Sequence, residues 1–274
     1  MAGREKACPC QIHALPPVGV CAIYGCMNVG ERMNGERMMN GADFLRACTG
    51  FPPCVVGAVS DVATWEAVTA PGAELRCGAV ELRVDALPTV LPEGALERSC
   101  VRPLLLTIRH HSEGGMQPLP EEVRLSLAFR LLPRASALDW EIAHLAQARE
   151  LVQEAHALGV AVVASAHDFE RTPSLASLRE KESLARSLGA DVVKFAFRLR
   201  CAEDMMTGVE LLRQASGPLA VMGMGPLGPV SRLLYAQLGT ALVYGYLGEA
   251  PTAPGQWSAD RCSEVLEGLT PGER

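Results

Sequence analysis

Eight short runs of β-favouring apolar residues, spaced from residue 54 to residue 245 and separated by amphipathic stretches, predict a (β/α)8 TIM barrel. Two further observations agree. The polar residues that interrupt those runs fall toward their C-terminal ends, where such a barrel builds its site. The chain has 274 residues, 49% of them hydrophobic, enough for one large domain with a sizeable core. A doubly wound open sheet is the alternative, but no Gly-rich phosphate loop follows the first strand.

The strands read in order as Cys54 to Val59, Ala79 to Val84, Leu104 to Ile108, a weaker fourth at Trp140 to Ile142, and Val160 to Ser165. The sixth, Asp191 to Phe197, is almost wholly apolar around Lys194, and Leu219 to Gly223 and Ala241 to Gly245 complete the set. Helical spacing marks 120 to 132, with Glu121 and Glu122 in its first turn. Two more helices, 146 to 158 and 175 to 188, stop at Gly159 and Gly189. The barrel is therefore expected over 49–274.

Residues 1–48 differ. They hold Cys8, Cys10, Cys21 and Cys26 and a repeated Gly-Glu-Arg-Met, without a helical or strand period. They read as a disordered or loosely attached extension, dispensable up to a start at Met39. The cysteine spacing fits no zinc pattern, so no metal is expected. A formal net charge of −6 excludes a general nucleic-acid binder. No apolar run is long enough for a membrane span, and no secretory signal opens the chain. Ten scattered cysteines then read as reduced thiols, which places the protein in the cytoplasm.

An ammonium in a buried strand is costly, so Lys194 must carry a partner or be kept neutral. Alone it would read as a strand-end lysine snorkelling to water. It has company. Strand two ends in Glu81, Arg83 and Asp85; strand three ends in Arg109, with Glu113 four residues on; strand five ends in His167 and Asp168. Arg232 follows strand seven, and Thr252 and Gln256 follow strand eight. A neutral lysine amine attacks carbonyls, and neighbouring Arg109 or Arg232 would favour that neutral form. His167, titrating near neutrality, would shuttle the proton.

The motifs Glu81-Leu82-Arg83-Val84-Asp85, Thr107-Ile108-Arg109 with Glu113-Gly114-Gly115, Ser165-Ala166-His167-Asp168-Phe169 and Val192-Val193-Lys194 resemble those of the type I 3-dehydroquinate dehydratases. So do Met224-Gly225, Ser231-Arg232-Leu233 and Ala253-Pro254-Gly255-Gln256, and together they cover about residues 50 to 270. Thr252 stands where that family more often has Ser, and keeps the hydroxyl. The resemblance implies dehydration of 3-dehydroquinate through an imine on Lys194, with no metal or cofactor. His167 would be the general acid and base and Glu113 its orienting acid. Arg232 would bind the substrate carboxylate; Glu81, Arg83 and Arg109 would surround the ring hydroxyls and the lysine. Thr252 and Gln256 would form a lid, and a homodimer is implied. Two other readings remain open. One is a class I aldolase using the same lysine, with Gly223, Gly225 and Gly228 as a phosphate site; the other is an inactive barrel serving as a binding module.

Overall fold

The computed structural model describes residues 39–88, 98–249 and 256–269, together with 32–33, 36–37, 96 and 251. The strands are β1 (Cys54–Val59), β2 (Ala79–Arg83), β3 (Leu104–Thr107), β4 (Ala137–Glu141), β5 (Ala161–Asp168), β6 (Val192–Arg198), β7 (Leu219–Met224) and β8 (Leu242–Tyr246). They form one eight-stranded sheet in the order β8-β1-β2-β3-β4-β5-β6-β7, every ladder parallel. Between β7 and β8 a looser seam closes the ring. The Ala241 N–H donates to the Leu219 carbonyl at 2.8 Å, and the Thr240 hydroxyl accepts from the Val221 N–H at 2.8 Å.

Period-2 alternation divides each strand between two cores. Val55, Val80, Leu106, Leu138, Val162, Val193, Val221 and Val243 face outward and pack under the helices. Their neighbours face inward: Ala79, Ala137, Val192 and Leu242 from the even strands, then Val56, Leu105, Val163 and Ala220 from the odd ones. Alternate strands supplying successive layers is the barrel's packing rule. The next layer up is again even-stranded, and it is polar: Glu81, Asp139, Lys194 and Tyr244. The ladders set these opposite Leu105, Val163, Ala220 and Val56.

The outer helices are α2 (Val62–Val68), α3 (Glu121–Leu131), α4 (Ile142–Leu145), α5 (Arg149–Ala157), α6 (Leu175–Ser187), α7 (Ala202–Arg213), α8 (Gly228–Gln237) and α9 (Ala259–Leu269). Gly159 and Gly189 follow α5 and α6 with φ of 69° and 99°, as the helix stops require. Among the described residues no helix is long and apolar enough to cross a membrane.

Two expectations need correction. The fourth strand starts earlier, at Ala137, because the charged Asp139 and Glu141 point inward and break up the apolar run. The extension does not run to residue 48 either. A capping box at Asn40 opens α1 (Gly41–Cys48), whose Phe44 and Cys48 are buried in the inner core and plug the barrel bottom. The Gly41 N–H donates to the Gly159 carbonyl at 2.9 Å, and a β-carbon on Gly41 would lie 2.5 Å from that oxygen. Ser136 Oγ donates to the Met39 carbonyl at 2.9 Å. Residues 39–48 are thus part of the barrel. Before them, Arg32–Met33 pairs antiparallel with Glu36–Arg37; the rest of the tract, with its cysteines, lies outside the described residues.

Candidate active site

Lys194 lies inside the barrel, only 2% exposed. Its Nζ donates to Asp139 Oδ2 at 2.5 Å and lies 3.5 Å from the Tyr244 hydroxyl and 4.6 Å from the centre of that ring. Asp139 Oδ1 also takes the Ser165 hydroxyl at 2.6 Å and the Arg109 guanidinium at 3.0 Å. Burial alone would raise the Asp139 carboxyl, but Arg109 and Lys194 outweigh it and hold it well below the usual carboxylate range.

Arg109 is the hub of this network. It reaches Glu141 Oε1 at 3.0 Å and Ser165 Oγ at 2.6 Å, while its backbone N–H donates to Asp85 Oδ1 at 3.0 Å. Asp85 holds both arms of the Arg83 guanidinium, at 3.0 and 2.8 Å. Glu141 is further held by Arg124, a wholly buried α3 residue stacked 4.2 Å over Trp140. Glu81 accepts from the Thr107 hydroxyl at 2.8 Å. Every one of these buried charges is paired or hydrogen-bonded, as burial demands.

Glu113 reaches His167 from the loop after β3. Its Oε2 accepts from the His167 backbone N–H at 2.9 Å and lies 3.0 Å from Nδ1. An ionised Glu113 selects the tautomer with hydrogen on Nδ1, which leaves the Nε2 lone pair for chemistry. Burial pushes the Glu113 carboxyl up to about 7. Burial, then the Arg109 and Lys194 charges, push His167 well below its ordinary value, so the imidazole is neutral rather than poised near neutrality. Of the two cations expected beside Lys194, Arg109 neighbours it through a shared carboxylate. The lysine's nearest charge is the Asp139 carboxylate, and Arg109 is occupied by that same group.

A type I 3-dehydroquinase family model matches residues 54–271. The chain is 32% identical to the 3-dehydroquinate dehydratase of Enterococcus faecalis over 240 residues, 81% of this chain and 94% of that one. It belongs to the type I 3-dehydroquinase family. It is also 32% identical to the Methanocaldococcus jannaschii 3-dehydroquinate dehydratase over 189 residues, 68% of this chain and 84% of that one. Among solved structures, the Clostridium difficile type I 3-dehydroquinate dehydratase with covalent modified comenic acid aligns with a TM-score of 0.70 and 25% identity, covering 81% of this chain and 94% of that one. The Geobacillus kaustophilus 3-dehydroquinate dehydratase aligns with a TM-score of 0.72, covering 90% of this chain and all of that one; at 24% identity it speaks for the fold alone. Type I 3-dehydroquinases are hydro-lyases, and the chain is an enzyme of that class.

Within this family member, Lys194, His167, Glu113, Glu81, Arg83 and Arg109 gather at the upper end of the barrel. Arg232 lies on α8; burial holds its guanidinium below the ordinary value, outweighing the opposite effect of Cys262 on α9. Gln256 is half-buried ahead of α9, and Thr252 lies outside the described residues. Asp139, Glu141, Ser165 and Tyr244 are site neighbours the sequence reading did not single out as such. Strict alternation through Ala137, Asp139 and Glu141 was the available signal for two of them. A cavity of about 330 Å³ lined by Phe51, Cys54, Arg76 and Glu267 lies at the opposite end, by the plug, and contains none of these groups.

Proposed function

We propose that this chain removes water from 3-dehydroquinate to give 3-dehydroshikimate through an imine on Lys194, a step of aromatic amino-acid biosynthesis. The observation that carries the reading is a buried amine in the barrel's polar layer, with a carboxylate-bound histidine on the adjoining strand. Family membership supports it, as does the covalent modified comenic acid in the C. difficile relative.

The chemistry follows from the ketone. A proton α to a ketone is weakly acidic, and a protonated imine draws off the developing negative charge far better. Nζ adds to the carbonyl carbon, and the carbonyl oxygen leaves as water. His167 Nε2 then takes the α-proton, forming an enamine, and returns it to the departing hydroxyl, which leaves as water. A further water hydrolyses the imine and frees the product ketone and the amine. Arg232 is assigned to the substrate carboxylate, a task suited to a guanidinium fork. Glu81, Arg83 and Arg109 hold hydroxyls and order the lysine's surroundings, and Thr252 and Gln256 cover the ring. No step calls on a metal or cofactor.

Packing accounts for two of the three glycines that the aldolase reading would use for phosphate. A β-carbon on Gly223 would lie 2.2 Å from Leu199 and 2.4 Å from the Ser231 hydroxyl, and the Gly228 N–H is taken by the Gly225 carbonyl at 2.9 Å. These glycines serve the close approach of β7 and α8. Buried thiols at Cys48, Cys54, Cys77 and Cys262 fit a reducing cytoplasm, and a homodimer is proposed on the resemblance alone.

The test is turnover of dehydroquinate, read as growth of the ultraviolet absorbance of the conjugated enone. Borohydride added during turnover should put a ligand-sized mass on the Lys194 peptide. A label on Lys181 instead, or none, would sink the imine.

A further inference from the structure

The polar layer at the floor of the site has a fourth member to which neither the family motifs nor the mechanism above gives a task. Tyr244 points inward from β8, 7% exposed, in the inner core with Val56 and Leu242. Two apolar layers lie below it. A buried phenol needs a hydrogen-bond partner. The atom within reach is Lys194 Nζ at 3.5 Å, and Nζ also lies 4.6 Å from the ring centre. Asp139 approaches the same nitrogen from β4, across the barrel from β8.

We propose that Tyr244 is a positioning residue for Lys194: its hydroxyl and ring face, together with Asp139, fix Nζ on the barrel axis for attack on the substrate ketone. This deepens the imine reading and rests on it. The lysine stem has several rotatable bonds, and a flexible nucleophile loses rate by spreading over rotamers that cannot react. Asp139 fixes one direction from Nζ and Tyr244 a second, which leaves the third for the lone pair that attacks the ketone. The hydroxyl accepts from Nζ in both the charged and the neutral amine, so the lone pair of the neutral form stays free to attack the ketone. Burial, with the Glu81 and Asp139 charges, pushes the phenol well above its ordinary value, so it keeps its proton throughout.

The experiment compares wild type, Tyr244→Phe and Tyr244→Leu. Wild type must first show dehydroquinate turnover and borohydride labelling at Lys194; failure there overturns the imine reading itself. With that in hand, Tyr244→Phe keeps the ring and removes the hydroxyl. Its kcat and its rate of imine trapping should both fall about tenfold, with KM changed less than about twofold and the fraction of trappable Lys194 unchanged. Tyr244→Leu, lacking the ring face as well, should fall further per trappable site. Wild-type kcat and trapping rate in Tyr244→Phe overturn the proposal. So does a loss of kcat fully matched by a loss of trappable sites, since that is damage to folding.

Discussion

The contact between Glu113 and His167 sets the pH range in which the site can work. Glu113 orients His167 only as a carboxylate, and burial raises it to about 7. His167 is depressed and stays neutral across that range. The kcat/KM profile should therefore fall as pH drops through about 7, in a limb belonging to the pair. Glu113→Gln should flatten that limb and lower the plateau; a limb of unchanged position in the variant would remove Glu113 from the explanation. Stability runs the other way. A carboxyl raised in the folded state contributes stability that is present below its unfolded value and lost as pH rises through the folded one. Glu113 thus weakens the fold where the enzyme is active. Two further substitutions separate binding from chemistry. His167→Ala should lose about 10²–10⁴-fold in kcat while still accumulating a borohydride-trappable imine. Arg232→Ala should chiefly raise KM, since a carboxylate contact exists before the transition state. Normal turnover in the first, or normal KM in the second, contradicts the assigned roles; thermal melts alongside identify loss through unfolding.

Among the elements, α1 shows most plainly what the chain conceals. Its signal is one turn of apolar residues, Phe44, Leu45 and Cys48, behind an irregular Cys-rich tract, and nothing local says what it covers. Its seat is built by Ser136 and Gly159, far along the chain. Phe44 is completely buried there, and Phe44→Ala should cost about 3–5 kcal/mol, read from denaturant melts. A cost below about 1 kcal/mol would show that the plug is decorative. The β4 strand was half legible for a different reason. Its inward residues Asp139 and Glu141 are charged because they belong to the site, so the apolar run that marks a barrel strand is missing there. Lys194 was legible for the converse reason, a single charge inside an apolar run.

At the scale of the whole molecule, period and punctuation were enough for the barrel. Eight apolar runs and the glycines after two helices specify strand and helix order, and parallel pairing then leaves few topologies. The direction of each charged contact was not legible, because it depends on which residues share a layer. That sharing follows from stagger between strands, which a linear reading does not contain. The plug carries a consequence in time. During synthesis α1 leaves the ribosome long before Ser136, its partner 97 residues downstream of Met39. Until Gly159 follows, Phe44 has no pocket, so the bottom of the barrel can seal only after half of the strands have been made. Among the described residues the first helix to be translated must therefore wait for Ser136 and Gly159 before it can dock.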